Sequence, residues 1–299
     1  MAETSLRVLK PGEQETLLRI LDNAYGLFHN ETEVRAVLSS NRFDPNSCFI
    51  AEEHGSPVGS VAITKLPREN WFAIRYLAVG PIKNRTEVGE SLLTRALDLL
   101  RSIGSEYIRA TTPSIQPYVN IYKRHGFIPL RRDFRICWEV SRKSPREEKL
   151  SMIEEVSKDR SRQAADLFVQ SLHPYWDWRT KEQGGPALVA ESFVEGLNRG
   201  ERWFFCGTDN EVVGLTGMIV DYYNQGEARF RGAYVLPEHR GRGLGLAVMN
   251  QALKMLKKLD QHRMTIYTFS NLDCLAPGAL LYLRSGGKIE AEYTLLGIP

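Results

Sequence analysis

A turn rich in glycine and arginine lies near the end of the chain, between a strand-like run and a periodic apolar stretch. Ala233 to Leu236 form an apolar run that Pro237 ends, because proline cannot donate to a sheet ladder. From Leu244 onward apolar residues recur at three- and four-residue steps, which predicts a helix. Free N–H groups at a helix start, beside glycines and arginines, suit a phosphate. The spacing therefore predicts a pyrophosphate site, although an ordinary loop would explain the turn alone equally well.

Two familiar phosphate-binding motifs do not fit this turn. The P-loop pattern GxxxxGK[ST] is absent from it, which argues against a P-loop nucleotidase. The glycines at 241, 243 and 245 have GxGxG spacing, whereas dinucleotide-binding folds use GxGxxG. A dinucleotide site is therefore disfavoured as well.

The full pattern V-x-P-x-x-R-x-x-G-x-G, from Val235 to Gly245, resembles the acetyl-CoA signature of the GCN5-related N-acetyltransferase superfamily. The resemblance implies acetyl-CoA as co-substrate, with its pyrophosphate on the amides of the turn. It also implies that N–H groups of the preceding strand bind pantetheine and polarise the thioester carbonyl, an oxyanion-hole role. The arginines either pair with phosphates or form a solvated face. The expected cofactor-binding residues are Tyr234, Val235, Leu236, Arg240, Gly241, Arg242, Gly243, Leu244 and Gly245.

A second resemblance lies in the stretch LLYLRSGG, which is similar to the L-Y-x-x-x-G-F pattern of the same superfamily. It implies that Tyr282 is the general acid that protonates the departing CoA thiolate. Gly287 replaces the usual aromatic residue and Gly278 the usual alanine, and a core tyrosine on a short helix is the alternative. Asn271 resembles an asparagine that lies near pantetheine, and a helix cap would be equally reasonable.

An aromatic segment between two predicted helices is the candidate acceptor site. Aromatic rings with one carboxylate suit a cationic amine through cation–π and charge contacts, and a hydrophobic plug is an equally good interpretation. The residues are Tyr175, Trp176, Asp177 and Trp178.

The general base has three candidates close in sequence to the reactive strand, namely Asp221, Glu227 and Glu238. Each is also a plausible surface charge, and a water molecule is the alternative base.

The elements that must position these residues occur twice. Pro81 and Pro237 are 156 residues apart, as are Gly89 and Gly245. Periodicity predicts the order β-α-α-β-β-β-α-β-α-β-β in each half. That order resembles the same superfamily and implies an α+β fold of two tandem domains, each with a mixed, mostly antiparallel twisted sheet flanked by helices. The expected boundaries are 1–141 for the first domain, 142–150 for a polar linker and 151–299 for the second.

The two glycine turns are not equivalent. Asn84 occupies the position of Arg240, and Glu87 occupies the position of Gly243. A negative side chain at that point would repel a phosphate. We therefore expect the N-terminal copy to be degenerate and the C-terminal copy to be catalytic.

Composition limits the partners. The net charge is +3 and hydrophobic residues make up 42% of the chain, values of an ordinary globular protein without a nucleic-acid partner. The four cysteines form no CxxC, and no Cys/His cluster has zinc-ligand spacing, so no metal is expected. No signal peptide or apolar run of membrane length occurs, which favours the cytoplasm.

These observations favour an acetyl-CoA-dependent N-acetyltransferase, in which the primary amine of a small molecule or peptide attacks the thioester directly. A non-catalytic protein that binds or senses acyl-CoA is the alternative from a second class. A nucleotide-binding oxidoreductase is a third.

Overall fold

The computed structural model describes residues 4–26, 30–140, 150–208 and 211–298. Packing divides the chain into two compact units. The N-terminal unit comprises Met1–Asp133, Ser270–Cys274 and Ala291–Pro299, and the C-terminal unit comprises Phe134–Phe269 and Leu275–Glu290. Among the described residues, no helix combines the length and the apolarity that crossing a membrane requires.

The N-terminal unit is a six-stranded mixed sheet with the strand order β1-β2-β3-β4-β5-β12. Its pairs are antiparallel except β4 with β5, which run parallel. Its elements are β1 (Thr4–Val8), α1 (Gln14–Tyr25), α2 (Glu31–Leu38), β2 (Phe43–Glu53), β3 (Ser56–Lys65), β4 (Trp71–Val79), α3 (Arg85–Ser102), β5 (Tyr107–Pro113), α4 (Gln116–Arg124) and the greater part of β12 (Lys288–Ile298).

The C-terminal unit repeats this plan with the strand order β6-β11-β10-β9-β8-β7. Here β10 and β11 are the parallel pair, and β9 pairs antiparallel with β8 and β10. Its elements are β6 (Ile128–Glu139, from Phe134 onward), β7 (Met152–Glu155), α5 (Ser161–Leu172), α6 (Asp177–Glu182), α7 (Pro186–Asn198), β8 (Arg202–Thr208), β9 (Glu211–Ile219), β10 (Glu227–Val235), α8 (Leu244–Lys258), β11 (Arg263–Ser270) and α9 (Pro277–Arg284).

The predicted fold class is confirmed: each unit is α+β, with a mixed sheet flanked by helices. The units do not follow the predicted boundaries 1–141 and 151–299 throughout. Residues 134–140 belong to the C-terminal unit, whereas 291–298 complete the sheet of the N-terminal unit. Each sheet thus takes one strand from the other half of the sequence. Of the predicted linker 142–150, residues 142–149 lie outside the described part of the chain.

The sequence did not assign residues to two short helices, although the predicted order β-α-α-β includes the first of them. Helix α2 has eight residues, too few to give a strong periodic signal, and is capped by the Asn30 side chain, which accepts a bond from the Glu33 N–H. Helix α6 has six residues and lies in the aromatic segment between the two predicted helices. The long helices follow the predicted pattern and bury their apolar faces.

We predict that Leu296→Ala destabilises the N-terminal unit although it lies at the far end of the sequence. Leu296 is fully buried in that unit's core, so truncation should lower the free energy of unfolding by about 2–5 kcal/mol. Denaturant unfolding measures the loss, and hydrogen exchange should quicken in β5. Ile289→Ala is the matched control, since Ile289 is exposed on the same strand. Faster exchange confined to β8 and β9 would contradict the assignment.

Candidate functional site

The site is built on a gap between two parallel strands of the C-terminal unit. Within the described residues, β10 and β11 pair only over Glu227–Arg229 and Arg263–Thr265, although β10 continues to Val235. The register of β10 against β9 shifts between Phe230 and Gly232, which marks a bulge. We call the gap beyond the paired residues the wedge. It is bordered by residues 230–235 of β10 and 266–269 of β11.

Backbone alternation decides which groups of β10 face the wedge. The Leu236 N–H donates to the Val213 carbonyl at 2.9 Å, so residue 236 bonds toward β9. Two-residue alternation directs Tyr234 to β9 as well and turns the N–H and C=O of Ala233 and Val235 into the wedge. Of the three predicted backbone donors, Val235 therefore has the required orientation, whereas Tyr234 and Leu236 do not. Ala233 was not predicted, because the phase of the alternation depends on the bulge.

The turn after β10 contains two glycines in the left-handed region. Gly241 and Gly243 have φ angles of 77° and 76°, a left-handed region that strains any side chain. Gly243 is the residue immediately before α8, so the first amides of that helix are free of intrahelical partners. Arg242 is exposed on the turn, and the Leu244 side chain is buried, so Leu244 and Gly245 offer backbone amides only.

Arg240 has a different environment from the one expected. Its guanidinium donates to three backbone carbonyls: Val235 at 3.0 Å, His173 at 2.6 Å and Ser171 at 2.7 Å. It also lies over the Tyr175 ring, 5.3 Å from the centroid. Partial burial lowers the pKa of the Arg240 guanidinium. These bonds tie the end of α5 to the glycine turn, so Arg240 shapes the turn, and three of its five donors are already used.

Tyr282 lies at the wedge in a buried position. Its side chain on α9 is 4% exposed, and the Ala233 N–H donates to its hydroxyl. Burial raises the pKa of this hydroxyl well above its ordinary value, and the Ala233 bond opposes the shift only in part. The hydroxyl therefore keeps its proton at neutral pH, as a general acid must.

Trp138 is a residue that the sequence analysis missed. Its ring packs edge-to-face on Tyr282 at 5.7 Å between centroids, and its Nε1–H donates to the Ser285 hydroxyl at 3.1 Å. A Cβ added at Gly287 would lie 2.7 Å from Trp138 and Ile136. Trp138 thus fills the space of the aromatic residue missing at position 287. That missing residue was the available sequence signal, but it does not say which side chain replaces it.

The expected acceptor segment makes contacts within its own unit. Trp176 and Trp178 stack at 6.1 Å, and both pack edge-to-face on Phe269 of β11. Arg179 lies over the Trp176 ring at 5.2 Å.

The other two residues of that segment are engaged as well. Asp177 pairs with His173 at 3.0 Å. Tyr175 is exposed and lies beneath Arg240. Arg179 and Arg240 thus lie over two of the rings that were expected to contact a cationic acceptor, those of Trp176 and Tyr175.

Two of the candidate bases are occupied. The Asp221 carboxylate accepts bonds from Gln261 at 2.8 Å and Gly226 at 2.6 Å, which lower its pKa and make it a poor base. Glu227 accepts from Asn224 at 2.8 Å and pairs with Arg263 at 3.6 Å. Glu238 is exposed on the 3-10 turn after β10.

Asn271 is grouped differently from the other predicted residues. It belongs to the segment Ser270–Cys274, which clusters with the N-terminal unit. Its amide donates to Cys274 Sγ at 3.7 Å. The C-terminal unit described by itself therefore does not contain it.

Both units have a bulged strand, a wedge beside it and a helix that follows the strand, and the C-terminal unit alone among the described residues adds a turn with two left-handed glycines. A sequence profile of the Acetyltransferase (GNAT) family matches residues 15–127 and again 163–275. The chain belongs to this family, whose members transfer acyl groups from acyl-CoA. No curated protein sequence matches the chain.

Solved structures share the fold along nearly the whole chain. A GCN5-related N-acetyltransferase from Sphaerobacter thermophilus is 14% identical, with a TM-score of 0.72 over 98% of this chain and 95% of that one. A tandem GNAT protein from the clavulanic acid pathway is 16% identical, with a TM-score of 0.63 over 99% and 98%. A glucosamine N-acetyltransferase region of a fungal multi-domain enzyme is 15% identical, with a TM-score of 0.71 over 99% and 38%.

We predict that Trp138→Ala destabilises the C-terminal unit and that Gly287→Phe partly reverses the loss. Removing the buried indole should cost about 3–5 kcal/mol, and a phenylalanine at 287 can fill the vacated space. Gly287→Phe alone should be destabilising, because even its Cβ meets the Trp138 ring. A double-mutant cycle of unfolding free energies measures the coupling. Simple additivity of the two losses would show that the residues do not share one space.

Proposed function

We propose that the C-terminal unit transfers an acetyl group from acetyl-CoA to a primary amine by direct attack on the thioester. The observation that carries the proposal is the β10 backbone edge open to the wedge, with the Tyr282 hydroxyl at one end and the glycine turn at the other. Family membership supports acyl transfer from acyl-CoA in general. The acetyl donor and the amine acceptor are our inference.

The turn and the wedge bind different parts of acetyl-CoA, the pyrophosphate and the pantetheine arm respectively. The amides of residues 241–245 bind the pyrophosphate, supported by the partial positive charge of the α8 N-terminus. Pantetheine lies along β10 like an added strand, with the Val235 N–H and Ala233 C=O as its partners. The Ala233 N–H, which donates to the Tyr282 hydroxyl in the unliganded chain, turns to the thioester carbonyl and polarises it as negative charge develops on its oxygen.

The chemistry needs two proton transfers. The neutral amine nitrogen attacks the thioester carbon, a C–N bond forms, and the C–S bond breaks with its electron pair on sulfur. Tyr282 donates its proton to that sulfur, which leaves as the CoA thiol. The proton from the amine passes to water or to Glu238, an exposed carboxylate whose charge interacts with Arg240. The tyrosinate regains its proton from solvent after release.

The charge near the acceptor segment bears on the amine. Arg179 over Trp176 and Arg240 over Tyr175 place positive charge beside the aromatic wall. A nearby cation lowers the pKa of an incoming ammonium, which favours the neutral nucleophile. We therefore propose that the segment Tyr175–Trp178 borders an amine that loses its proton before it enters.

We predict that Tyr282→Phe lowers kcat about 10–100-fold while the affinity for CoA stays the same, because the variant loses an acid and keeps the ring. Release of free thiol from acetyl-CoA with a panel of amines measures turnover, and titration calorimetry measures binding. Tyr122→Phe is the matched control, since Tyr122 is the equivalent buried tyrosine of the N-terminal unit. If the wild-type chain binds CoA but turns over no amine of the panel, the result favours the acyl-CoA sensor instead.

We also predict that kcat rises with pH and then levels without declining before about pH 10. A raised pKa means that Tyr282 holds its proton through this range, so the acid is not lost as the acceptor amine becomes neutral. A pH profile of kcat at saturating substrates tests this. An alkaline decline centred near pH 8 that disappears in Tyr282→Phe would contradict the assignment.

A further inference from the structure

The N-terminal unit carries the same wedge as the C-terminal unit. Its parallel strands β4 and β5 pair over Trp71–Ile74 and Tyr107–Ala110, and β4 continues to Val79. The Gly80 N–H donates to the Val58 carbonyl at 2.8 Å, as its counterpart Leu236 does to Val213. The same alternation therefore turns the backbone of Leu77 and Val79 into this wedge.

Two tyrosines occupy the backbone groups of this edge. The Tyr25 hydroxyl donates to the Leu77 carbonyl. The Tyr118 hydroxyl donates to the Val79 carbonyl at 3.1 Å, and the Val79 N–H lies 3.5 Å from the same hydroxyl. The two rings pack edge-to-face at 4.8 Å and are 7% and 2% exposed. Buried polar groups that would otherwise bond to a ligand are thus satisfied from within.

The turn beside this wedge is also changed. Helix α3 begins at Arg85, the counterpart of Gly241, whereas α8 begins three residues later at Leu244. Arg85 and Glu87 stand where the C-terminal unit has its two left-handed glycines, and residues with side chains do not readily adopt that conformation. The Arg85 guanidinium instead donates to the Tyr118 hydroxyl and lies over its ring.

The counterpart of Tyr118 in the C-terminal unit is Gly278. Helices α4 and α9 match at a spacing of 160 residues, which pairs Tyr122 with Tyr282 and Tyr118 with Gly278. A Cβ added at Gly278 would have no neighbour nearer than 4.0 Å, at Thr268 Oγ1 and Tyr282 Cε2. The C-terminal wedge is therefore open at the point where the N-terminal wedge is filled.

We infer that the residue at this helix position decides which unit accepts acyl-CoA: Tyr118 closes the N-terminal wedge, and Gly278 leaves the C-terminal wedge open. The chain then binds one acyl-CoA. The inference rests on the proposed function of the C-terminal unit. It assigns a specificity-determining role to two residues outside the glycine turn.

The test is to place the tyrosine in the second wedge. Gly278→Tyr in the full chain should weaken CoA binding about 100-fold, because the new hydroxyl accepts from the Val235 N–H that pantetheine needs. The melting temperature of this variant should stay close to that of the wild type, since the space at Gly278 is open. Gly278→Ala adds only a methyl group and should bind CoA within about threefold of the wild type. Titration calorimetry with CoA gives both affinity and stoichiometry.

A second measurement does not depend on any variant. Hydrogen exchange of the wild-type chain with and without CoA should show protection of residues 233–245 and none of residues 77–89. One CoA per chain supports the inference. Two CoA molecules per chain, protection of both stretches, or a folded Gly278→Tyr variant with wild-type affinity would overturn it. A wild-type chain that binds no CoA would overturn the proposed function itself.

Discussion

The parallel pairing of β10 with β11 stops at Arg229 and Thr265, and the backbone edge beyond that point must find hydrogen bonds elsewhere. A buried N–H or C=O without a partner costs free energy, so these backbone groups must bond to side chains or to a ligand. In the C-terminal unit the Ala233 N–H donates to the Tyr282 hydroxyl, and the Val235 carbonyl accepts from Arg240. What is left over is the hydrogen-bonding surface that we assign to pantetheine.

The two units apply different solutions to the same constraint. Both have a bulge held by a side-chain hydroxyl, Ser60 on the Tyr76 carbonyl and Thr216 on the Gly232 carbonyl. In the N-terminal unit, however, the edge is closed by buried tyrosines and the glycine turn has become helix. A wedge satisfied internally is compatible with a well-packed domain, which explains how a copy without the cofactor turn keeps the whole fold.

Much of the site could be predicted because it is local in sequence. The glycine turn and the two copies follow from spacing, periodicity and a repeat, and Tyr282 follows from the resemblance of LLYLRSGG to a family pattern. The orientation of the Tyr234 and Val235 amides could not be predicted, because it depends on where β10 bulges against β9. The bonds of Arg240 to carbonyls of Ser171 and His173 join residues almost 70 positions apart. Trp138 fills the space beside Gly287 from a strand in the first half of the sequence, a packing relation that no short pattern contains.

The exchange of final strands also has a consequence for the order in which the chain can fold. The sheet of the N-terminal unit is complete only when residues 293–298 pair with β5. These residues are synthesised about 180 residues after β5, a delay of roughly 10–40 s at ordinary rates of translation. During that time β5 has an open edge of the kind that invites pairing with other chains. Strand β6, by contrast, is made early and is present when β7–β11 emerge. The C-terminal unit can therefore complete its sheet first, in reverse of the usual order along a nascent chain.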